Sequence, residues 1–150
     1  EQLPFTPNAI LALEVFEHLD EYCVPDVLKW IHSLNTPLYI SVPNEVGIAL
    51  LVKNVGSFLL GYRRYNEYRT LDTVYATIGY LDRIPRHRHG HLGFDWRWLL
   101  SCIKYFFNVV EIKTSPFTFT PRTLSPSIYF LCLPHPTRTL RDIPQAQSID

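Results

Sequence analysis

The chain has 150 residues, 47% of them hydrophobic, and its 14 Lys and Arg balance 14 Asp and Glu. This length and apolar content predict one packed globular domain and exclude a disordered chain, while the zero net charge offers no global attraction to nucleic acid or an anionic membrane. The start does not read as a signal peptide, no apolar run is long enough to span a bilayer, and Cys23, Cys102 and Cys132 lack CxxC spacing, so a cytoplasmic location with reduced, buried thiols is expected.

In chain order, "AILALEV" (Ala9 to Val15) is a continuous apolar run ending in acids, and "PLYISVPN" (Pro37 to Asn44) is a second run closed by Pro43 and Asn44. Both read as strands of a sheet covered on two faces. Between them Asp26 can start a helix with Val27, Leu28, Ile31 and Leu34 on one face and Lys29 and His32 elsewhere. Strand, helix and strand at this spacing predict a parallel crossover.

Residues 45–83 read as a helical insert. "GIALLVKNVGSFLLGY" is apolar around most of its circumference, broken by Lys53, Asn54 and Ser57, and "NEYRTLDTVYATIGYL" is more amphipathic, with Leu71, Val74, Tyr75 and Ile78 at three- and four-residue spacing. The loop "RHRHGHLGFDW" carries His87, His89 and His91, and leads to Asp95 as N-cap of a helix over "WRWLLSCIKYFF". "NVVEIKTS" follows as a strand, then a Pro-rich loop over 115–126, then the last strand "SIYFLCL". With only a loop between them, the last two strands must be antiparallel neighbours or near neighbours. The tail over 134–150 is expected to drape over the surface or fray.

In an open parallel sheet, ligands bind beyond the carboxyl ends of the strands. The candidates there are Glu14, Glu17 and His18 after the first strand and Asn44 and Glu45 after the second. Two carboxylates and an imidazole within five residues can converge on Mg²⁺, Mn²⁺ or Zn²⁺, with His91 as a fourth ligand brought back by its loop, whereas His87 and His89 lie beside arginines and face solvent. The same residues also suit a proton-accepting histidine, or acids that merely hold a loop by hydrogen bonds. Asn44 can contact a ligand through its amide; Glu45 and Tyr62 are further substrate-side candidates, for which, as for Tyr39, rim packing is the plainer reading.

Together, "ALEVFEHLDEY", "PLYISVPNE", "GHLGFDWRWLL", "FNVVEI" and "SIYFLCL" resemble the C-terminal half of a class I S-adenosylmethionine-dependent methyltransferase, over about residues 5–133. The resemblance implies an α/β fold: a partial Rossmann-like methyltransferase sheet, with strands equivalent to the fourth to seventh and a final antiparallel hairpin. "EVFEH" with the distant "HLGFDW" is similar to two metal-assisted groups, the small-RNA 2′-O-methyltransferases and the ubiquinone-pathway O-methyltransferases. It implies Glu14, Glu17, His18 and His91 as ligands of a divalent ion (Mg or Zn), His18, His91 and Glu17 as the groups that act on the acceptor proton, and Glu14 on the cofactor side. Two departures stand beside it. The spacing around Phe94 differs by a residue from the small-RNA enzymes, and the family's Gly-rich cofactor loop has no counterpart, since Gly47, Gly56 and Gly61 lie in the apolar insert.

The implied activity is O- or N-methyl transfer from S-adenosylmethionine to a small-molecule or lipid-like acceptor, with nucleic acid disfavoured. The chain begins at Glu1 and has no Met, so it reads as a piece of a longer protein; a non-catalytic binding or assembly module derived from the same fold is the alternative. The insert over 47–60, followed by Arg63, Arg64, Tyr62, Tyr65 and Tyr68, suits peripheral membrane contact or a lid over a lipid-like acceptor, and equally a helix buried in a dimer or core. The first strand, at a sheet edge, is expected to pair along residues 9–13 with another chain or molecule, or to form a homo-oligomer.

Overall fold

The computed structural model describes residues 5–61, 70–84 and 93–135. The chain is α/β, with a four-stranded mixed sheet in the order β1-β2-β4-β3. Strand β1 (Ile10–Leu13) lies parallel to β2 (Leu38–Pro43), joined through helix α1 (Val24–Ser33). Helices α2 (Ile48–Leu59) and α3 (Thr70–Ile78) form the insert, and α4 (Trp96–Phe106) leads directly into β3 (Phe107–Thr114). The last strand, β4 (Ser127–Pro134), inserts between β2 and β3 and is antiparallel to both. The expected parallel crossover and closing antiparallel pair are thus both present.

Local chemistry sets the helix boundaries. Helix α1 begins at Val24 rather than Asp26 because Pro25, with φ preset and no N–H to lose, suits the first turn; Asp26 becomes an acid facing the helix's positive end. It stops where Asn35 takes a left-handed conformation (φ 49°), which a short polar side chain tolerates. Asp95 caps α4 as expected, accepting the Arg97 N–H at 2.8 Å and binding the Arg97 guanidinium at 2.7 Å.

The main core lies on one face of the sheet. Val24, Leu28 and Ile31 of α1 and Leu99, Ile103 and Phe106 of α4 pack with Ala12, Leu38, Ile40, Val42, Ile128 and Phe130 of the strands. A fully buried Leu or Phe of this kind contributes about 1.5–3 kcal/mol relative to an exposed one. The expectation of a sheet covered on two faces fails: on the opposite side Leu11 is 65% exposed, and Leu13, Tyr39, Tyr129 and Leu133 are exposed with it. A continuous apolar run marks a strand, but α1 and α4 both go to one face, so Leu11 and Leu13 of β1 and Tyr39 of β2 are left exposed.

The insert has its own small cluster of Val46, Leu50, Ala76, Leu81 and Ile84, with Tyr75 packed against it. The predicted inward stripe of α3 is corrected accordingly. Tyr75 alone of that set is partly enclosed, whereas Leu71, Val74 and Ile78 face outward and Ala76 takes the buried position. Among the described residues no helix is long and apolar enough to cross a membrane. The three cysteines are free, and burial pushes the thiols of Cys102 and Cys132 up to about 11 and about 12, as expected of unreactive interior sulfur.

Candidate functional site

The acidic segment after β1 is set by one unusual backbone residue. Glu14 has φ 53°, a left-handed conformation that costs a non-glycine residue energy and turns the chain sharply off the strand. Two bonds to β2 hold it there: the Glu14 N–H donates to the Ser41 carbonyl at 3.0 Å, and the Ser41 hydroxyl donates to Glu14 Oε1 at 3.2 Å. The chain then winds into a 3₁₀ turn over Phe16–His18, closed by the His18 N–H to the Val15 carbonyl at 3.1 Å.

Phe16 anchors this turn in the core, and its neighbour Glu17 is carried inside with it, at 1% exposure. Burial is the main reason the Glu17 carboxyl is raised from 4.5 to about 7. A backbone hydrogen bond partly opposes the rise, and the charge and hydrogen bonding of Glu14 add to it. His18 is half exposed, with Nε2 3.9 Å from Glu17 Oε1. The turn therefore places a carboxyl that changes ionisation near neutral pH beside an accessible imidazole, at the carboxyl end of the parallel strand pair. Such a pair can take a proton from a bound hydroxyl or amine and return it.

The second group of candidates has a structural task. Asn44 is buried, and both amide hydrogens are used, on the carbonyls of Arg122 at 2.8 Å and Ser125 at 3.0 Å. Its Oδ1 accepts the Val46 N–H at 3.2 Å, and its own N–H donates to the Pro126 carbonyl at 2.9 Å. Glu45 is also buried, with its carboxylate 3.0 Å from Lys53 Nζ. Asn44 and Glu45 are thus corrected from substrate contacts to a staple joining β2, α2 and the 115–126 loop. The cause is β4: pairing Pro43 with Ser127 brings that loop directly over the end of β2, and nothing in the local sequence announces the contact. Tyr62 and His91 lie outside the described residues, as do His87 and His89.

Among the described residues, no three His, Cys, Asp or Glu side chains gather as a metal-binding group. Glu17 and His18 are in reach of each other, and Glu14 is engaged by Ser41.

A cavity of about 520 Å³ lies elsewhere, across the uncovered face of the sheet between Leu11, Leu13, Tyr39, Pro116, Tyr129 and Leu131. Among the described residues its charged lining, Glu111 and Lys113, pairs at 3.1 Å. It is an open apolar surface rather than a set of convergent polar groups, so the strand-end turn is the better candidate for chemistry. No family model matches the chain, and no curated protein matches it in sequence.

Proposed function

We propose that the chain forms the acceptor-side part of an S-adenosylmethionine-dependent methyltransferase domain, in which Glu17 and His18 handle the proton of an oxygen or nitrogen acceptor. The observation that carries this reading is the strand arrangement together with what stands at its end. A parallel β1-α1-β2 unit is followed by a last strand that returns antiparallel, and the acidic turn sits at the carboxyl end of β1. This agrees with the contiguous sheet side and closing hairpin that the sequence resemblance implies, and with the rule that open parallel sheets bind ligands at that end.

S-adenosylmethionine supplies, when bound, a methyl group on a sulfonium sulfur. The residues described here do not form its cradle: Gly47 precedes α2, Gly56 lies within it and Gly61 follows it, so none is a Gly-rich turn between strand and helix. What these residues support is narrower. Glu17, ionised in an appreciable fraction near neutral pH, or the imidazole of His18 beside it, accepts the acceptor's proton, and the enclosed position of Glu17 keeps that proton from bulk water.

Calorimetric titration of the 150-residue chain with S-adenosylmethionine, paired with a labelled-methyl transfer assay on lipid-like and small phenolic acceptors, tests the reading. Micromolar binding, with transfer lost in Glu17→Gln and His18→Ala while binding persists, is the expected result. Neither binding nor transfer would leave the non-catalytic assembly module, which the uncovered sheet face of Leu11, Leu13, Tyr39 and Tyr129 favours.

A further inference from the structure

Helix α2 buries Ala49 and Leu50 but turns most of its apolar surface outward. Its polar residues Lys53, Asn54 and Ser57 are only partly exposed, and Lys53 Nζ is held at 3.0 Å from the Glu45 carboxylate and 3.1 Å from the Asn44 carbonyl. Its large apolar residues Ile48, Leu51, Val52, Val55, Phe58 and Leu59 recur at three- and four-residue spacing, and every one of them is exposed. A surface helix of a soluble domain shows the opposite orientation, with the apolar stripe inward. The exposure rises toward the helix end, reaching 68% at Phe58, 77% at Leu59 and 79% at Leu60. Helix α3 adds Leu71, Val74 and Ile78 to the outward apolar surface of the insert. The ion pair between Lys53 and the buried Glu45 carboxylate anchors this orientation.

The sequence that follows α2 selects the occupant. In sequence, α2 and α3 are linked by "YRRYNEYR", residues 62–69, in which Arg63, Arg64 and Arg69 outnumber the single acid Glu67 and Tyr62, Tyr65 and Tyr68 are interspersed. Tyrosine prefers headgroup depth in a bilayer, and arginine is drawn to anionic lipid. The most exposed apolar residues adjoin that basic segment, whereas a protein interface concentrates its apolar anchors at the centre of a patch with a polar rim. An extended coiled coil with a second copy is a poor fit for the stripe, since α2 has 12 residues and a coiled coil takes about three to four heptads. We infer that the outward face of α2, with α3 beside it, docks the protein on an anionic membrane surface, Phe58 and Leu59 entering the boundary between headgroups and acyl chains. The inference rests on the orientation of α2 and is independent of the transferase reading.

The test is co-sedimentation of the full 150-residue chain with phosphatidylcholine vesicles, with and without a substantial fraction of phosphatidylglycerol. The protein should pellet with the anionic vesicles and be released by salt, and Val55→Glu and Phe58→Glu should each weaken partition roughly tenfold or more. Tyr22→Gln, on an exposed site before α1, should leave it unchanged. Circular dichroism and melting of the two α2 variants should match the parent, because both side chains are exposed in the free protein. The inference is overturned if the chain does not pellet, if it binds both vesicle types equally, or if the α2 variants pellet like the parent. It is overturned in favour of a second copy if sedimentation velocity shows a dimer that Val55→Glu dissociates while vesicles capture neither protein.

Discussion

Glu17→Gln isolates the cost of holding a carboxyl inside the turn after β1. Burial first, and the neighbouring Glu14 in addition, raise Glu17 from 4.5 to about 7. A carboxyl whose folded pKa exceeds its unfolded value binds more protons when folded, so its contribution favours the fold in acid and is lost as pH rises through that interval. At about 1.36 kcal/mol per unit the whole shift amounts to about 3 kcal/mol, of which about 2.5 kcal/mol falls between roughly pH 5 and pH 8. Glutamine keeps the shape and removes the titration. Urea denaturation of both proteins at the two pH values gives the result as a difference of differences, in which any pH-independent cost of the amide cancels. The parent should lose about 2.5 kcal/mol relative to the variant on going to the higher pH, a relative fall in melting temperature of roughly 5–10 °C for a chain of this size. Parallel pH profiles for the two proteins would refute the reasoning, and so would a glutamine variant that loses more stability than the parent as pH rises. Either outcome would mean that the carboxylate is compensated in the fold and that the turn is not a proton-exchanging site.

The staple at the end of β2 makes further predictions. Asn44→Ala removes two donated bonds and one accepted bond from a buried amide, and should cost about 2–4 kcal/mol in urea denaturation. Lys53→Met takes the cation from a buried carboxylate and should destabilise by about 3–5 kcal/mol, with Glu45→Leu added to the same protein recovering most of that loss. Asp95→Ala removes the α4 cap and its bond to Arg97, and should cost about 1 kcal/mol by thermal melting.

The elements were legible in the sequence where a side chain acts locally. Asp95 announces α4, and the apolar, strand-favouring run "SIYFLCL" makes β4 readable as a strand. The orientation of elements was much less legible. Leu11 and Leu13 look like core residues in a one-dimensional pattern, but the covering helices fall on the other face. The apolar stripe of α2 was visible as composition, whereas its direction depends on Glu45 and Asn44 drawing Lys53 inward from two helical turns away. At the site, Glu14, Glu17 and His18 were readable as a strand-end cluster. Which of them is buried depends on the left-handed Glu14 and on Phe16, whose ring pins the turn. Asn44 could not be read correctly from its neighbours, because the groups that consume its amide lie 78 and 81 residues away.

Two arrangements in this chain cost stability, and each follows directly on one strand of the parallel pair. After β1, a left-handed glutamate swings Glu17 into the interior, where its charge is disfavoured. After β2, the Asn44–Glu45–Lys53 staple fixes α2 with its hydrocarbon outward, a posture that water opposes. A fold selected for stability alone would replace Glu17 by an apolar residue and exchange the two faces of α2; local rules are broken where something other than folding is served. Ser41 bonds to the first arrangement and Asn44, three residues on, belongs to the second, so β2 ties both to the same end of the sheet. A membrane-facing helix and a proton-exchanging carboxyl organised around one strand end suit an acceptor that is itself lipid-like, delivered from the bilayer to the turn. On that view Phe58→Glu should depress transfer to a vesicle-borne acceptor while sparing transfer to a water-soluble analogue, whereas Glu17→Gln should abolish both.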